Sequence, residues 1–326
     1  MYKEDLKRPI FVVGHSRSGS TLLATMLGRH SAILALPETH FFGGSYSGFF
    51  LRRIWSYRSI SSILRFTIED NIRLRDLGLD IESIKSSLTE KPNINSKSIL
   101  DCIFSSCLHS SKKQIVLEKT PYHIEHVDRI LKWYPEARII CIVRDGRDAI
   151  DSQIIAPWTH SSPKRHALYW VWCVRRSIKL RRNYPQSVKV VRYEDLVMDP
   201  TSTLRKLSSH IGIDYESKML DEIDDAGTVP PWELEWKGES NRSLDSKKVF
   251  KWLRNDNHNY KEWTSWMFRE LNILGYDVGL VKRVRKIDII TGLSHNFFYG
   301  VWLVFRTHFK KRSNRYRRSV ERSNST

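Results

Sequence analysis

Cysteine is scarce in this sequence. Its 326 residues contain four, Cys102, Cys107, Cys141 and Cys173. No two stand in C-x-x-C spacing, and none precedes a histidine cluster at metal-ligand spacing. That pattern excludes a disulfide framework and a cysteine–histidine metal site. The four read as reduced structural thiols of a cytosolic protein. No secretory leader is expected, because Met1–Arg8 is charged and the apolar run Pro9–Val13 is too short for a signal core. Glycine and proline are few, 15 and 11. Collagen-like and low-complexity chains therefore drop out. No internal repeat points to a solenoid. Acidic residues are the minority, 36 against 54 Lys and Arg, for a net charge of +18.

What is present suits one α/β domain. Apolar residues make up 40% and aromatics 11%, enough for a sizeable core. The apolar run Ile10–Val13 reads as a strand entering a Gly/Ser loop, Gly14–Ser20. Thr21–Arg29 then reads as a helix with Leu22, Leu23, Met26 and Leu27 on one face. Strands follow at Gln114–Leu117, Arg138–Val143 and Val188–Val191. Helices follow at His123–Trp133, Ala149–Ile155, Lys164–Arg182, Thr201–Ile211, Lys247–Arg254 and Tyr260–Leu274, the last ended by Gly275. The continuous run Ile139-Ile140-Cys141-Ile142-Val143 is typical of a strand buried on both faces. Strands alternating with helices predict an α/β three-layer sandwich with a central parallel sheet, spanning residues 1–280. Residues 41–113 are less regular, with helices expected near 49–67 and 96–109, and read as an insertion shaping an acceptor site.

The stretch 281–326 differs from the rest. It holds twelve Lys or Arg against two acidic residues, so +10 of the net charge sits there and +8 in residues 1–280. Between Asp288 and Arg306 lie 17 residues without a charged side chain. A membrane span needs about 20 apolar residues. Three readings stay open: a basic amphipathic tail lying on an anionic bilayer, a helix packed on the domain, and a true span. A nucleic-acid role is not expected, since no recognised module accompanies the charge.

Four short constellations carry chemistry. Gly14-His15-Ser16-Arg17-Ser18-Gly19-Ser20-Thr21 lies between a strand and a helix. Such a loop presents backbone N–H groups, and the helix N-terminus favours anions. It differs from a nucleoside-triphosphate loop in carrying Ser20 where that motif places Lys. Its cation is Arg17 instead. Arg144-Asp145-Gly146-Arg147-Asp148, with Ser152 after it, follows a buried strand, where open α/β sheets bind ligands. Arg144 offers a planar fork and Ser152 a hydroxyl to a phosphate. Pro37-Glu38-Thr39 places a carboxylate after the first helix, where it can serve as general base. Glu118-Lys119-Thr120-Pro121 places an ammonium at the same sheet edge, able to neutralise a leaving oxygen.

In this combination and order the chain resembles the sulfotransferases that use 3′-phosphoadenosine 5′-phosphosulfate (PAPS). It is nearest in flavour to the tyrosylprotein and bacterial branch. Arg192-Tyr193-Glu194-Asp195-Leu196, with Asp199-Pro200, is a further segment typical of that family, and the likeness runs on through Lys237–Trp252. The resemblance implies a fold related to P-loop nucleoside triphosphate hydrolases. It implies that Arg17, Ser18, Gly19, Ser20 and Thr21 hold the 5′-phosphosulfate, and that Arg144 and Ser152 hold the 3′-phosphate. Tyr193 and Lys251 become nucleotide contacts. Glu38 becomes the base, with His40 and His123 in reserve, and Lys119 with Ser240 steadies the leaving oxygen. The acceptor is a hydroxyl or amine on a saccharide, lipid or peptide. The donor is PAPS, the product is 3′-phosphoadenosine 5′-phosphate (PAP), and no metal is expected. The location expected is cytoplasmic, peripheral to the inner face of a membrane. Two rival readings are a P-loop kinase or triphosphatase and a catalytically silent membrane-associated binding protein.

Overall fold

The computed structural model describes residues 6, 8–42, 74, 77, 79–90, 94–156, 162–221, 244–254 and 260–278. Ser240, the expected helix at 49–67 and the basic stretch 281–326 lie outside the described residues.

Five strands form one sheet: β1 (Ile10–Gly14), β2 (Ile33–Ala35), β3 (Ile115–Lys119), β4 (Arg138–Val143) and β5 (Val188–Arg192). Their order is β2-β3-β1-β4-β5 and every pairing is parallel. Parallel neighbours require crossover connections, which place helices on both faces. The period-2 alternation of the strands shows the result. Phe11, Val13, Ile139 and Cys141 pack on one face with the helix α3 (Ser96–His109) and the helix α4 (Val127–Trp133). Ile10, Val12, Ile140 and Ile142 pack on the other with α1 (Ser20–Gly28), α7 (Tyr193–Met198) and α8 (Pro200–Ile211). Each fully buried isoleucine of β4 contributes about 2 kcal/mol by leaving water. A third cluster, built on Trp170 and Met267, joins α5 (Gly146–Ile154), α6 (Pro163–Asn183) and α9 (Tyr260–Ile273).

This is the α/β three-layer sandwich that the sequence predicts. Among the described residues four short elements were not anticipated: β2, α7, α2 (Ile81–Thr89) and the 3-10 segment Ser217–Leu220. Two helices differ from expectation. The helix expected at His123–Trp133 opens as a 3-10 segment, Pro121–His126, before α4 begins. Pro121 sits in its first turn and has no N–H to enter an α-helical ladder. The helix expected at Lys247–Arg254 is two 3-10 stretches, Ser246–Lys248 and Lys251–Arg254, separated at Phe250, whose φ is 50°. The Asp199-Pro200 pair acts as a helix start: Asp199 accepts the Ser202 N–H, and Pro200 is the first helical residue.

The order of the strands positions the site. From β1 the chain crosses to β2 on one side, and later to β4 on the other. That reversal makes the carboxyl ends of β1 and β4 the switch point at which open α/β sheets bind their ligands.

Candidate active site

The loop after β1 is shaped by close approaches. Gly14 has φ 148°, and a Cβ there would lie 2.3 Å from the Ile142 carbonyl oxygen. Gly19 has φ 90°, and its Cβ would lie 2.3 Å from the Tyr193 ring. Arg17 is also left-handed, at φ 65°, a conformation that costs a non-glycine residue about 1 kcal/mol or more. No side chain caps the start of α1, so its first N–H groups are available to an anion. The Ser18 hydroxyl is buried and has no protein partner among the described residues.

Two arginines meet at this loop. Arg17 Nε donates to Ser152 Oγ at 2.9 Å, joining the loop to α5. Arg144, at the end of β4, donates to the Arg17 carbonyl at 3.3 Å and to the Lys248 carbonyl at 2.7 Å. Its guanidinium lies 4.6 Å from the centre of the Tyr193 ring, and its buried Nε has no partner among the described residues. Burial first, and the Arg144 charge second, lower the Arg17 pKa, while Glu38 opposes the shift. The concentrated positive charge favours a polyanionic ligand.

The rest of the Arg144–Asp148 motif is structural. Arg147 is buried, forks onto Asp145 with contacts of 2.9 and 2.7 Å, and stacks 3.6 Å over the Trp252 ring. Asp148 accepts the backbone N–H groups of Lys251 (3.2 Å) and Trp252 (2.8 Å). Burial pushes the Asp148 carboxyl up, and Arg144 and these N–H groups work against it. Lys251 therefore reaches the site through its backbone, and its side chain is exposed. The roles of Asp148 and of the Lys248 carbonyl were not anticipated from the sequence, which carries no signal for either.

The second half of the site joins β3 to the segment after β2. Lys119 Nζ donates to Glu38 Oε1 at 3.1 Å and to Thr21 Oγ1, on α1, at 3.3 Å. Glu38 Oε2 lies 2.9 Å from His40 Nε2. Behind them sits a buried clamp. Glu118 accepts from Thr39 Oγ1 (2.8 Å), Thr120 Oγ1 (2.6 Å) and the Thr39 N–H (3.3 Å), and lies 2.8 Å from His123 Nδ1. Burial alone would raise the Glu118 pKa, but the His123 imidazole and these hydrogen bonds outweigh it and the shift is downward. His123 is 1% exposed, and its Nε2 receives the Phe42 N–H. Both ring nitrogens are engaged within the clamp, which fixes Thr39 beside Glu38.

The fold thus brings Arg17, Ser18, Gly19, Ser20, Thr21, Arg144, Ser152 and Tyr193 to one sheet edge, with Glu38, Lys119 and His40 beside them.

A protein-tyrosine sulfotransferase 1 from Danio rerio is 24% identical over 225 residues, 68% of this chain and 57% of its own length. A Drosophila melanogaster protein-tyrosine sulfotransferase is 23% identical over 217 residues, 65% of this chain and 39% of its own. The chain thus spans less than two thirds of these relatives. In structure it resembles the sulfotransferase domain of the Synechococcus PCC 7002 olefin synthase, with a TM-score of 0.56 at 18% identity, covering 85% of this chain and 99% of that one. The sulfotransferase domain from the curacin biosynthetic pathway gives 0.57 at 18% identity, over 84% and 99%. The family model described as the sulfotransferase family matches residues 9–217, about two thirds of the chain, which therefore belongs to the sulfotransferase family.

Proposed function

We propose that the chain transfers a sulfuryl group from PAPS to a hydroxyl or amine acceptor on a saccharide, lipid or peptide. The names of the relatives favour a tyrosine hydroxyl among peptide acceptors. The observation that carries the reading is the position of Lys119 Nζ, 3.3 Å from Thr21 Oγ1 on the phosphate-loop helix and 3.1 Å from Glu38 Oε1. A cation for a leaving oxygen and a carboxylate for an acceptor proton stand side by side at the mouth of an anion loop.

The residues present suit this donor. Among the described residues the Ser18 hydroxyl and Arg144 Nε are buried polar groups without protein partners, the kind of group that a bound ligand satisfies. Arg17, Ser18, Gly19, Ser20 and Thr21 hold the 5′-phosphosulfate. Arg144 and Ser152 take the 3′-phosphate, with Tyr193 beneath Arg144 and Lys251 at the rim. When bound, PAPS supplies the sulfuryl group and PAP departs with the bridging oxygen. Glu38 removes the acceptor proton, and Lys119, with Ser240, offsets charge on the leaving oxygen. Positioning and charge stabilisation are what such a transfer asks of a protein. The basic stretch 281–326 supports a peripheral place on an anionic membrane. Sedimentation with phosphatidylserine vesicles tests that, compared with a chain ending at 280.

A thermal-shift titration with PAP, beside ATP and Mg²⁺, tests the donor. A ligand at about 100 times its dissociation constant adds roughly 2.7 kcal/mol of apparent stability. The expected result is a clear rise with PAP and little with ATP. A rise with ATP and Mg²⁺ alone supports a kinase instead. A screen for PAP release from PAPS with tyrosine peptides, saccharides and lipids then identifies the acceptor.

A further inference from the structure

We propose that His40 carries to solvent the proton that Glu38 takes from the acceptor, a role that rests on Glu38 being the base. The two oxygens of Glu38 face different neighbours. Oε1 meets the Lys119 ammonium at 3.1 Å, and Oε2 meets His40 Nε2 at 2.9 Å. An ammonium has no lone pair and cannot take a proton, whereas a neutral imidazole can. Exposure rises outward along the row: the side chains of Lys119, Glu38 and His40 are 1%, 13% and 32% exposed. Among the described residues that touch Glu38, His40 is thus both the more exposed and the one able to take a proton.

The pose of His40 is built into the fold. Its φ is 48°, which strains any residue with a Cβ. Its N–H donates to Thr120 Oγ1 at 3.3 Å, and that hydroxyl is tied to Glu118 at 2.6 Å. Strain held in place by a buried network beside a reacting group points to a selected position. Among the described residues, Glu38 on its own segment, Lys119 behind Glu38 on β3 and the Tyr122 ring at 6.4 Å lie near it. Arg17 acts on Glu38 from the phosphate loop.

The step balances. The acceptor O–H bond breaks as its oxygen bonds to sulfur, and the electron pair of the broken S–O bond leaves on the bridging oxygen. Glu38 becomes a carboxylic acid. At rest His40 Nε2–H donates to the carboxylate. Once Glu38 is an acid, exchange with water moves the ring proton from Nε2 to Nδ1, and the freed Nε2 lone pair takes the Glu38 proton. The imidazolium then releases Nδ1–H to water, which leaves Glu38 a carboxylate and His40 protonated at Nε2 as at the start.

The test uses the full chain with PAPS and a tyrosine-containing acidic peptide, reading PAP release. His40→Gly suits the left-handed backbone and leaves room for free imidazole. His40→Gln keeps a hydrogen bond to Glu38 but cannot carry a proton. We expect both to lower turnover about 10- to 100-fold, with PAP affinity within about twofold of the parent. Added imidazole should restore His40→Gly in proportion to its neutral form, so that rescue rises with pH. It should leave Glu38→Gln inactive. Parental turnover in His40→Gln, or a His40→Gly defect that imidazole does not relieve, overturns the relay. Parental turnover in Glu38→Gln overturns the base assignment itself, and a parent that does not bind PAP overturns the donor reading.

Discussion

Arg17 and Ser152 stand 135 residues apart in sequence and meet at 2.9 Å, Nε to Oγ. The contact ties the loop after β1 to the helix after β4, so the 5′ and 3′ ends of the proposed donor site share one hydrogen bond. Ser152→Ala should therefore disturb both ends. A hydrogen bond to a charged group is worth about 1.5–3 kcal/mol, which predicts a loss of PAP affinity of about tenfold or more. Isothermal titration with PAP checks this, and equal affinity in variant and parent removes Ser152 from the site.

Arg144 is a binding group that also holds the fold together. Its side chain is 11% exposed and it donates to the carbonyls of Arg17 and Lys248. Removing it leaves two carbonyls short of a donor and Asp148 short of a counter-charge 3.6 Å away. Arg144→Ala should weaken PAP at least tenfold and lower unfolding free energy by about 1–3 kcal/mol. Arg144→Lys keeps the charge but not the fork, and should recover part of the stability and less of the affinity. Urea unfolding beside PAP titration separates the two effects. Undiminished stability in Arg144→Ala would show that the two carbonyl contacts add nothing to the fold.

Much of this architecture is legible in the sequence, because strand ends carry the chemistry. An apolar run followed by a Gly/Ser loop announces β1 and its loop, and Ile139–Val143 announces β4 and, at its end, Arg144. The long amphipathic pattern of α6 was read within one residue of its ends, Pro163–Asn183 against Lys164–Arg182. Shorter elements were missed for want of signal: three residues of β2 cannot display an alternation. The segment after Lys247 reads as helical by composition, yet its N–H groups go to Asp148, a tertiary contact that no local pattern shows. The same holds for Glu118. Its neighbours Lys119 and Thr120 flagged the motif, but the Glu118 clamp on Thr39 spans 79 residues and became visible only in the fold.

Gly19 and Tyr193 make a sharper test of the loop. A Cβ at position 19 would meet the Tyr193 ring at 2.3 Å, on a backbone with φ 90°. Strain and overlap together should cost Gly19→Ala about 2–4 kcal/mol. Because the same ring lies under Arg144, PAP binding should fall as well. Tyr193→Ala in the same chain removes the overlap but not the strain, so the double variant should be less destabilised than the sum of the single ones. Additive losses in urea unfolding would show that the ring is not the obstacle.

His15 sets a pH dependence of stability. Its ring is buried within the phosphate loop, and Nδ1 has no partner among the described residues. Burial above all, then the charge of His166, lowers its pKa from 6.5 to about 3. Between those values the unfolded chain binds a proton that the folded chain refuses. Stability therefore rises with pH across this window, and is lost as pH falls from about 6.5 toward 3. One proton corresponds to about 1.4 kcal/mol per pH unit. The lowered pKa values of His210 and Glu118 act in the same direction, so the parent's slope alone does not isolate His15. The difference from His15→Asn does. Between pH 6 and 4.5 the parent should lose about 2 kcal/mol more than the variant in urea unfolding. Parallel curves would mean that His15 is not held neutral by the fold, and a variant with the steeper acid loss would reverse the sign of its contribution.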